Sequence, residues 1–186
     1  MNKTIRLTTR DAIIEAAFAV LGKNPSAALS DVADRAGVGR ATLHRHFASR
    51  DELVRALTLL AGQEMDVAVE TACAPAKSYS EAVRLALQAL IPLGDRHGFL
   101  ALESFAADPE MQVEFDRQSR ETAQLMEAAK REGLFDANIP ISWLVQAFDH
   151  LIYAGWESVI AGETTEEQAA ELAWRTLTTG LGRQAK

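Results

Sequence analysis

Residues 29–47 read Leu-Ser-Asp-Val-Ala-Asp-Arg-Ala-Gly-Val-Gly-Arg-Ala-Thr-Leu-His-Arg-His-Phe, and this stretch decides the fold. Leu29, Val32, Ala33 and Ala36 recur at helical spacing, so the spacing predicts a short helix with Ser30 as cap and Gly37 as stop. Val38-Gly39 then makes a tight link to a second short helix, Arg40 to about His46. A helix, a turn containing glycine and a second helix is helix-turn-helix spacing, in which the second helix lies in the DNA major groove. That groove, about 12 Å wide, admits an α-helix whose exposed side chains meet base edges. Leu43 and Phe47 are expected to face the core, and Arg40, Ala41, Thr42, His44, Arg45 and His46 to face outward. Packing gives little reason for two Arg and two His on so short a helix. The competing reading is a solvated basic face on an ordinary helical hairpin.

The flanks extend this head. Ile13, Ala16, Ala17, Val20 and Leu21 form one face of a preceding helix, with Thr9 at its start, Asp11 in the first turn and Gly22 at its end. Ser49-Arg50-Asp51-Glu52 reads as a capping box opening a long fourth helix with Leu53, Ala56, Leu57 and Leu60 inward. Residues 1–60 hold nine Lys/Arg against six Asp/Glu, a balance of +3, plus His44 and His46. The whole chain has a net charge of −7, so residues 61–186 carry −10. A basic head on an acidic body suggests that only the head meets a polyanion.

Helical periodicity continues to the end, with no convincing run of alternating β-branched residues. Cys73-Ala74-Pro75-Ala76-Lys77 ends the fourth helix, and Ser78 opens a fifth that Pro92 kinks or stops. A short helix around Phe99–Phe105 follows, and Asp108-Pro109-Glu110 starts a seventh that Gly133 stops. Pro140 opens an eighth to about Ala161, and Thr164-Thr165 a ninth to about Gly182. The expected fold is therefore all-α with about nine helices. Residues 1–50 are read as the helix-turn-helix domain and residues 51–186 as a helical ligand-binding and dimerisation domain.

At 186 residues and 48% hydrophobic composition the chain can fill a sizeable core, which excludes wholesale disorder. One cysteine supports no intramolecular disulfide framework, and Cys73 is read as an inert small residue. The N-terminus leads into no apolar signal core and no apolar run spans a membrane, so a cytoplasmic protein is expected. His44 and His46 lie two apart and diverge on a helix, so no metal site is expected there. Gly37-Val38-Gly39 follows a helix rather than a strand and is no dinucleotide loop. No nucleophile elbow or phosphate-binding loop occurs. The expectation is no enzyme, no cofactor and no catalytic residue.

Ten of the twelve aromatics lie after residue 60. Helical cores need large residues, yet a cavity of this make-up also suits an apolar or aromatic small molecule. Phe99, Glu103, Phe148, His150 and Trp156 are candidates for its lining. The acidic body favours a neutral or cationic effector, with Glu103 or Asp149 as charge partner, unless Arg96 or Arg117 faces the cavity and reverses the local charge. The last two helices are apolar beyond one stripe. Trp143, Ala147 and Ala154 lie off the stripe of the eighth and Trp174 off that of the ninth, so a homodimer through these helices is expected.

Ile14-Glu15-Ala16-Ala17, the run Val32 to Phe47 and Ser49-Arg50-Asp51-Glu52-Leu53 together resemble the tetracycline-repressor (TetR) family of bacterial regulators over roughly residues 9–57. The resemblance implies a ligand-responsive, DNA-binding regulator, most simply a repressor that binds a palindromic operator as a homodimer and is released by a small molecule. It further implies base readers at Arg40, Ala41, Thr42 and Arg45, and phosphate contacts from Ser30, His44, His46 and Arg50, with Thr9 a further candidate. Two positions depart from the family pattern: Gly39 stands where Ser is usual, and His44 where Tyr is usual. The alternative is an all-helical small-molecule-binding or adaptor protein that has lost DNA binding, which would have no reason to keep the basic helix.

Overall fold

The computed structural model describes residues 8–102 and 108–180. Its helices are α1 (Thr9–Leu21), α2 (Leu29–Ala36), α3 (Arg40–His46), α4 (Arg50–Cys73), α5 (Tyr79–Leu90), α6 (Gly94–His97), α7 (Pro109–Arg131), α8 (Ile141–Ile160) and α9 (Glu166–Arg175). Helix α6 is a single turn flanked by 3₁₀ turns at Ile91–Leu93 and Gly98–Leu102, and a π turn, Thr176–Gly180, follows α9. No strand occurs among the described residues. Glu103, Phe105 and the end expected for the ninth helix lie outside them.

Two caps differ from their sequence assignment. Thr8, not Thr9, caps α1: its hydroxyl accepts from the Asp11 N–H, and the Asp11 carboxylate accepts from the Thr8 N–H in return. Ala28, not Ser30, occupies the cap position of α2, where the Asp31 carboxylate accepts from the Ala28 N–H at 3.0 Å. Ser30 is thereby the second residue of the helix. Ser49 caps α4 through the Glu52 N–H, while the Glu52 carboxylate reaches one residue further back, to the Ala48 N–H. Gly37 ends α2 at φ 68°, a left-handed conformation that glycine adopts without the steric cost of a Cβ.

Two apolar cores result. The first gathers Ile13, Ala17, Phe18, Leu21, Val32, Leu43, Phe47, Leu53 and Leu57 from α1–α4, and admits Phe99 from the body. Each of these side chains larger than alanine contributes roughly 1.5–3 kcal/mol by leaving water. The second joins Val83, Leu87 and Ile91 to Met126, Phe135, Leu144, Phe148, Ile152, Trp156 and Leu177. Helix α4 spans both, running from Leu53 in the first core to Met65 and Val69 packed on the second. The Cys73 thiol donates to the Ala82 carbonyl at 3.4 Å and ties α4 to α5.

Helix α6 is where head and body meet. Gly94 lies against the Trp156 indole of α8 so closely that a Cβ would stand 2.6 Å from its Cδ1. Two residues on, Arg96 pairs with Glu15 of α1 at 2.8 Å and with Glu64 of α4 at 2.8 Å. A chain of contacts thus runs from α8 through α6 to α1.

Candidate nucleic-acid interface and internal cavity

Helix α3 is anchored by Leu43 and Phe47, both 1% exposed, which fixes its outward face. Arg40, Ala41, His44 and Arg45 are exposed, and Thr42 and His46 half-buried. Arg40, His44 and Arg45 form no hydrogen bond or ion pair among the described residues. Gly39 caps the helix in extended conformation without a side-chain bond, as a glycine cap does at little cost. Ser30 sits at the N-terminus of α2, beside Arg40 and His44, and with Leu29 and Leu43 these residues line a concavity of about 190 Å³. Backbone N–H groups at a helix start, with an arginine and a histidine around a shallow hollow, suit a phosphate.

Arg50 is placed differently from its neighbours. Its Nη2 donates to the Pro25 carbonyl at 2.9 Å, so it braces the start of α4 against the loop between α1 and α2. Arg10, which the sequence did not single out, lies 5.1 Å from the centre of the Phe47 ring and adds a cation to the same end of the head.

A cavity of about 670 Å³ opens among α4, α5, α7 and α8. Phe148 and Trp156 line it, with Phe115 and Tyr153. Phe99 does not: it packs in the head core, 6.3 Å from Phe18 in an edge-on contact. Nor does His150, which is exposed and whose Nδ1 donates to the Gln146 carbonyl. Their spacing on the sequence carried no sign of which side of the helix would be hollow.

Four carboxylates, Asp66, Glu70, Glu121 and Asp149, meet one cation, Arg117, around the cavity. Arg117 is already engaged by Asp66 at 2.5 Å, Glu114 at 2.6 Å and Glu121 at 2.7 Å, so the cavity keeps a negative balance. Arg96 lies away from the cavity, in the α1–α4–α6 junction. Its two partner carboxylates raise its pKa, and in return its hydrogen bonds hold the Glu15 carboxyl below the usual range. His97, 1% exposed, has Nε2 3.0 Å from Glu64 Oε2, yet neither ring nitrogen is well directed for a hydrogen bond. Burial pushes its pKa down.

A recognition-type helix held outward by a packed head, above a helical body with an aromatic-walled cavity, has the architecture of a helix-turn-helix regulator. Residues 13–57 match the model of the bacterial regulatory proteins of the tetR family. Over 95% of its length the chain is 33% identical to the HTH-type transcriptional repressor LfrR of Mycolicibacterium smegmatis, covering 92% of that protein. The chain belongs to the TetR family and is a ligand-responsive, DNA-binding transcriptional regulator.

The structure superposes on that of LfrR in complex with proflavine with a TM-score of 0.80, at 32% identity and over 95% of this chain and 97% of the other. The ketosteroid regulator KstR2 of Mycobacterium tuberculosis, 17% identical, shares the fold at a TM-score of 0.74, over 96% of this chain and 97% of that one. No helix among the described residues is long and apolar enough to cross a membrane.

Proposed function

We infer that the protein represses transcription as a homodimer, each subunit laying α3 in one major-groove half-site of a palindromic operator. A small apolar or aromatic effector in the α4–α5–α7–α8 cavity releases it. The observation that carries this reading is the outward face of α3, where Arg40, His44 and Arg45 have no hydrogen-bond or ion-pair partner among the described residues. Arg40, Ala41, Thr42 and Arg45 then read base edges, while Ser30, His44, His46 and Arg50 hold phosphates. An Arg on guanine discriminates by roughly 1–3 kcal/mol, and phosphate contacts add salt-dependent affinity without sequence preference. LfrR, a repressor crystallised with proflavine, supports both halves of the reading. The protein acts by binding alone, in the cytoplasm, without cofactor.

Dimerisation is supported by the outer face of α8 and α9. Trp143, Ala147, His150 and Ala154 recur at i, i+4, i+7 and i+11, and Trp143 and Leu172 are 61% and 48% exposed. Pairing two subunits there sets two copies of α3 for half-sites about 34 Å apart, one turn of DNA.

Release requires that occupancy of the cavity favour a different head spacing. Trp156 is both a cavity wall and the surface on which Gly94 rests, so a ligand that moves the indole moves α6. Arg96 carries that movement to Glu15 and Phe18 of α1.

The test is selection of bound sites from random DNA fragments, followed by gel shift at fixed salt. Arg45→Ala is expected to lose the preference for the selected site over scrambled DNA while the fold persists. Equal operator affinity in mutant and parent would contradict the assignment.

A further inference from the structure

Asp149 stands apart from the other carboxylates of the cavity. It projects from α8 into the space walled by Phe148, Tyr153 and Trp156, and Tyr153 and Trp156 meet edge-on at 5.3 Å. Asp66 and Glu121 are ion-paired with Arg117, and Glu70 is exposed to solvent. Asp149 forms no hydrogen bond or ion pair among the described residues, although it is half-buried. The one cation on the cavity wall among the described residues, Arg117, already pairs with three carboxylates. A half-buried carboxylate without a donor costs free energy that a cation arriving from outside removes. A metal ion does not meet this need, because no group of three His, Cys, Asp or Glu converges among the described residues. An organic cation does, and π faces beside the carboxylate favour one whose charge is spread over a planar ring.

Resting on the reading of this cavity as the effector site, we propose that Asp149 is its specificity-determining residue, selecting planar aromatic cations over neutral molecules of the same shape. Burial pushes the Asp149 carboxyl up to about 6. A bound cation holds it ionised, so cation binding is coupled to loss of that proton and weakens on acidification. The other charged or titratable groups facing this space are Asp66 and Glu70 on α4, Arg117 and Glu121 on α7, and Tyr153 on α8, with His150 beside Asp149 on the outer side. Tyr153 reports the same environment: burial and the Asp149 charge both raise its pKa.

The test uses the full chain and two probes of nearly the same shape, the fixed cation 10-methylacridinium and neutral 10-methylacridone, titrated by tryptophan fluorescence. The parent is expected to bind the cation at least about tenfold more tightly than the neutral compound at pH 7.5, and to lose roughly that preference at pH 5. Asp149→Asn keeps size and shape. It is expected to bring the ratio near unity at both pH values while retaining affinity for the acridone. An unchanged ratio in Asp149→Asn, or the same pH dependence as the parent, would overturn the assignment of Asp149. Failure of both probes to bind the parent would instead overturn the cavity as the effector site, and the proposal with it. Circular dichroism of the variant separates loss of selection from loss of fold, and Asp149→Glu, which restores the charge, is expected to recover part of the preference.

Discussion

The guanidinium of Arg96 lies 4.0 Å from the centre of the Phe18 ring while its nitrogens hold Glu15 on α1 and Glu64 on α4. One side chain of a single-turn helix is thereby fastened to the DNA-binding head by a ring, to the same helix by a carboxylate, and to the long connecting helix by another. The partners are partly solvated, so the cluster contributes modestly to stability. Its consequence lies in geometry: α6 cannot shift along α8 without pulling on α1.

Arg96→Gln is therefore expected to leave effector affinity within about twofold of the parent while weakening the effect of effector on operator affinity, a coupling typically of about 1–3 kcal/mol. Anisotropy titrations of operator DNA with and without a saturating effector measure that coupling. Full release in the variant would show that α6 and α1 communicate by another route.

Gly94→Ala introduces a methyl group where the Trp156 ring stands at 2.6 Å. The indole, whose Nε1 donates to the Leu90 carbonyl at 2.9 Å, has to shift towards the cavity it lines. A loss of roughly 1–3 kcal/mol of stability is expected from overpacking, together with weaker effector binding. Thermal melts and fluorescence titration check the two effects separately, and an unchanged melting point would contradict the close packing.

Dimer formation is tested at Leu172, because a buried position of the same helical region such as Leu177 cannot separate dimer loss from unfolding. Leu177 is 0% exposed and belongs to the body core, so a glutamate there breaks the fold whether or not a dimer forms. Leu172 is exposed on α9. Leu172→Glu is expected to yield folded monomers with weakened operator binding, measured by light scattering and circular dichroism. A parent protein that scatters as one 20.2 kDa chain at micromolar concentration would remove the interface.

Stability and pH are linked through Asp149 and His97 with opposite signs. The folded chain keeps the Asp149 proton up to about pH 6, whereas the ordinary carboxyl value is 3.8. The favourable contribution is therefore complete below the unfolded value and lost as pH rises through 6. Asp149→Asn removes that loss. It is expected to raise the unfolding temperature at pH 7.5, by an amount on the order of 1 kcal/mol in stability, with the difference shrinking towards zero near pH 4. His97, held below its ordinary 6.5 by burial, acts the other way: the unfolded chain takes up the proton first, so stability falls as pH drops below 6.5. Thermal scans of parent and Asp149→Asn across pH 4 to 7.5 check the sign, and a lower unfolding temperature for the variant at pH 7.5 would contradict it.

The head was legible because its signals are local. Apolar spacing, Gly37 at a left-handed turn and an aromatic at the helix end all lie within nineteen consecutive positions, 29 to 47. Caps were less legible where the bonding group is not the residue at the cap. Asp31 bonds the Ala28 N–H, and Ser30, a better-known capping type, is drawn into the helix instead. The cavity was legible only in composition. Phe148 and Trp156 line it, whereas His150, two positions after Phe148, points to solvent and Phe99 joins the other core. Which side of a helix faces a hollow depends on α4, α5, α7 and α8 meeting, and that meeting is long-range. For Arg117 the helical spacing of Glu114 and Glu121 is legible in the sequence, whereas the approach of Asp66 from α4 is long-range and is not.

The central proposal is that filling the cavity lowers the hold of α3 on DNA. It is measured most directly by fluorescence anisotropy of a labelled duplex carrying the selected operator, titrated with the parent protein in the absence and presence of saturating 10-methylacridinium at fixed salt and pH 7.5. The expected result is at least about a tenfold weaker operator affinity with the cation present, equivalent to roughly 1.4 kcal/mol of coupling. Unchanged operator affinity, with the cation shown to be bound by tryptophan fluorescence in the same sample, would contradict it.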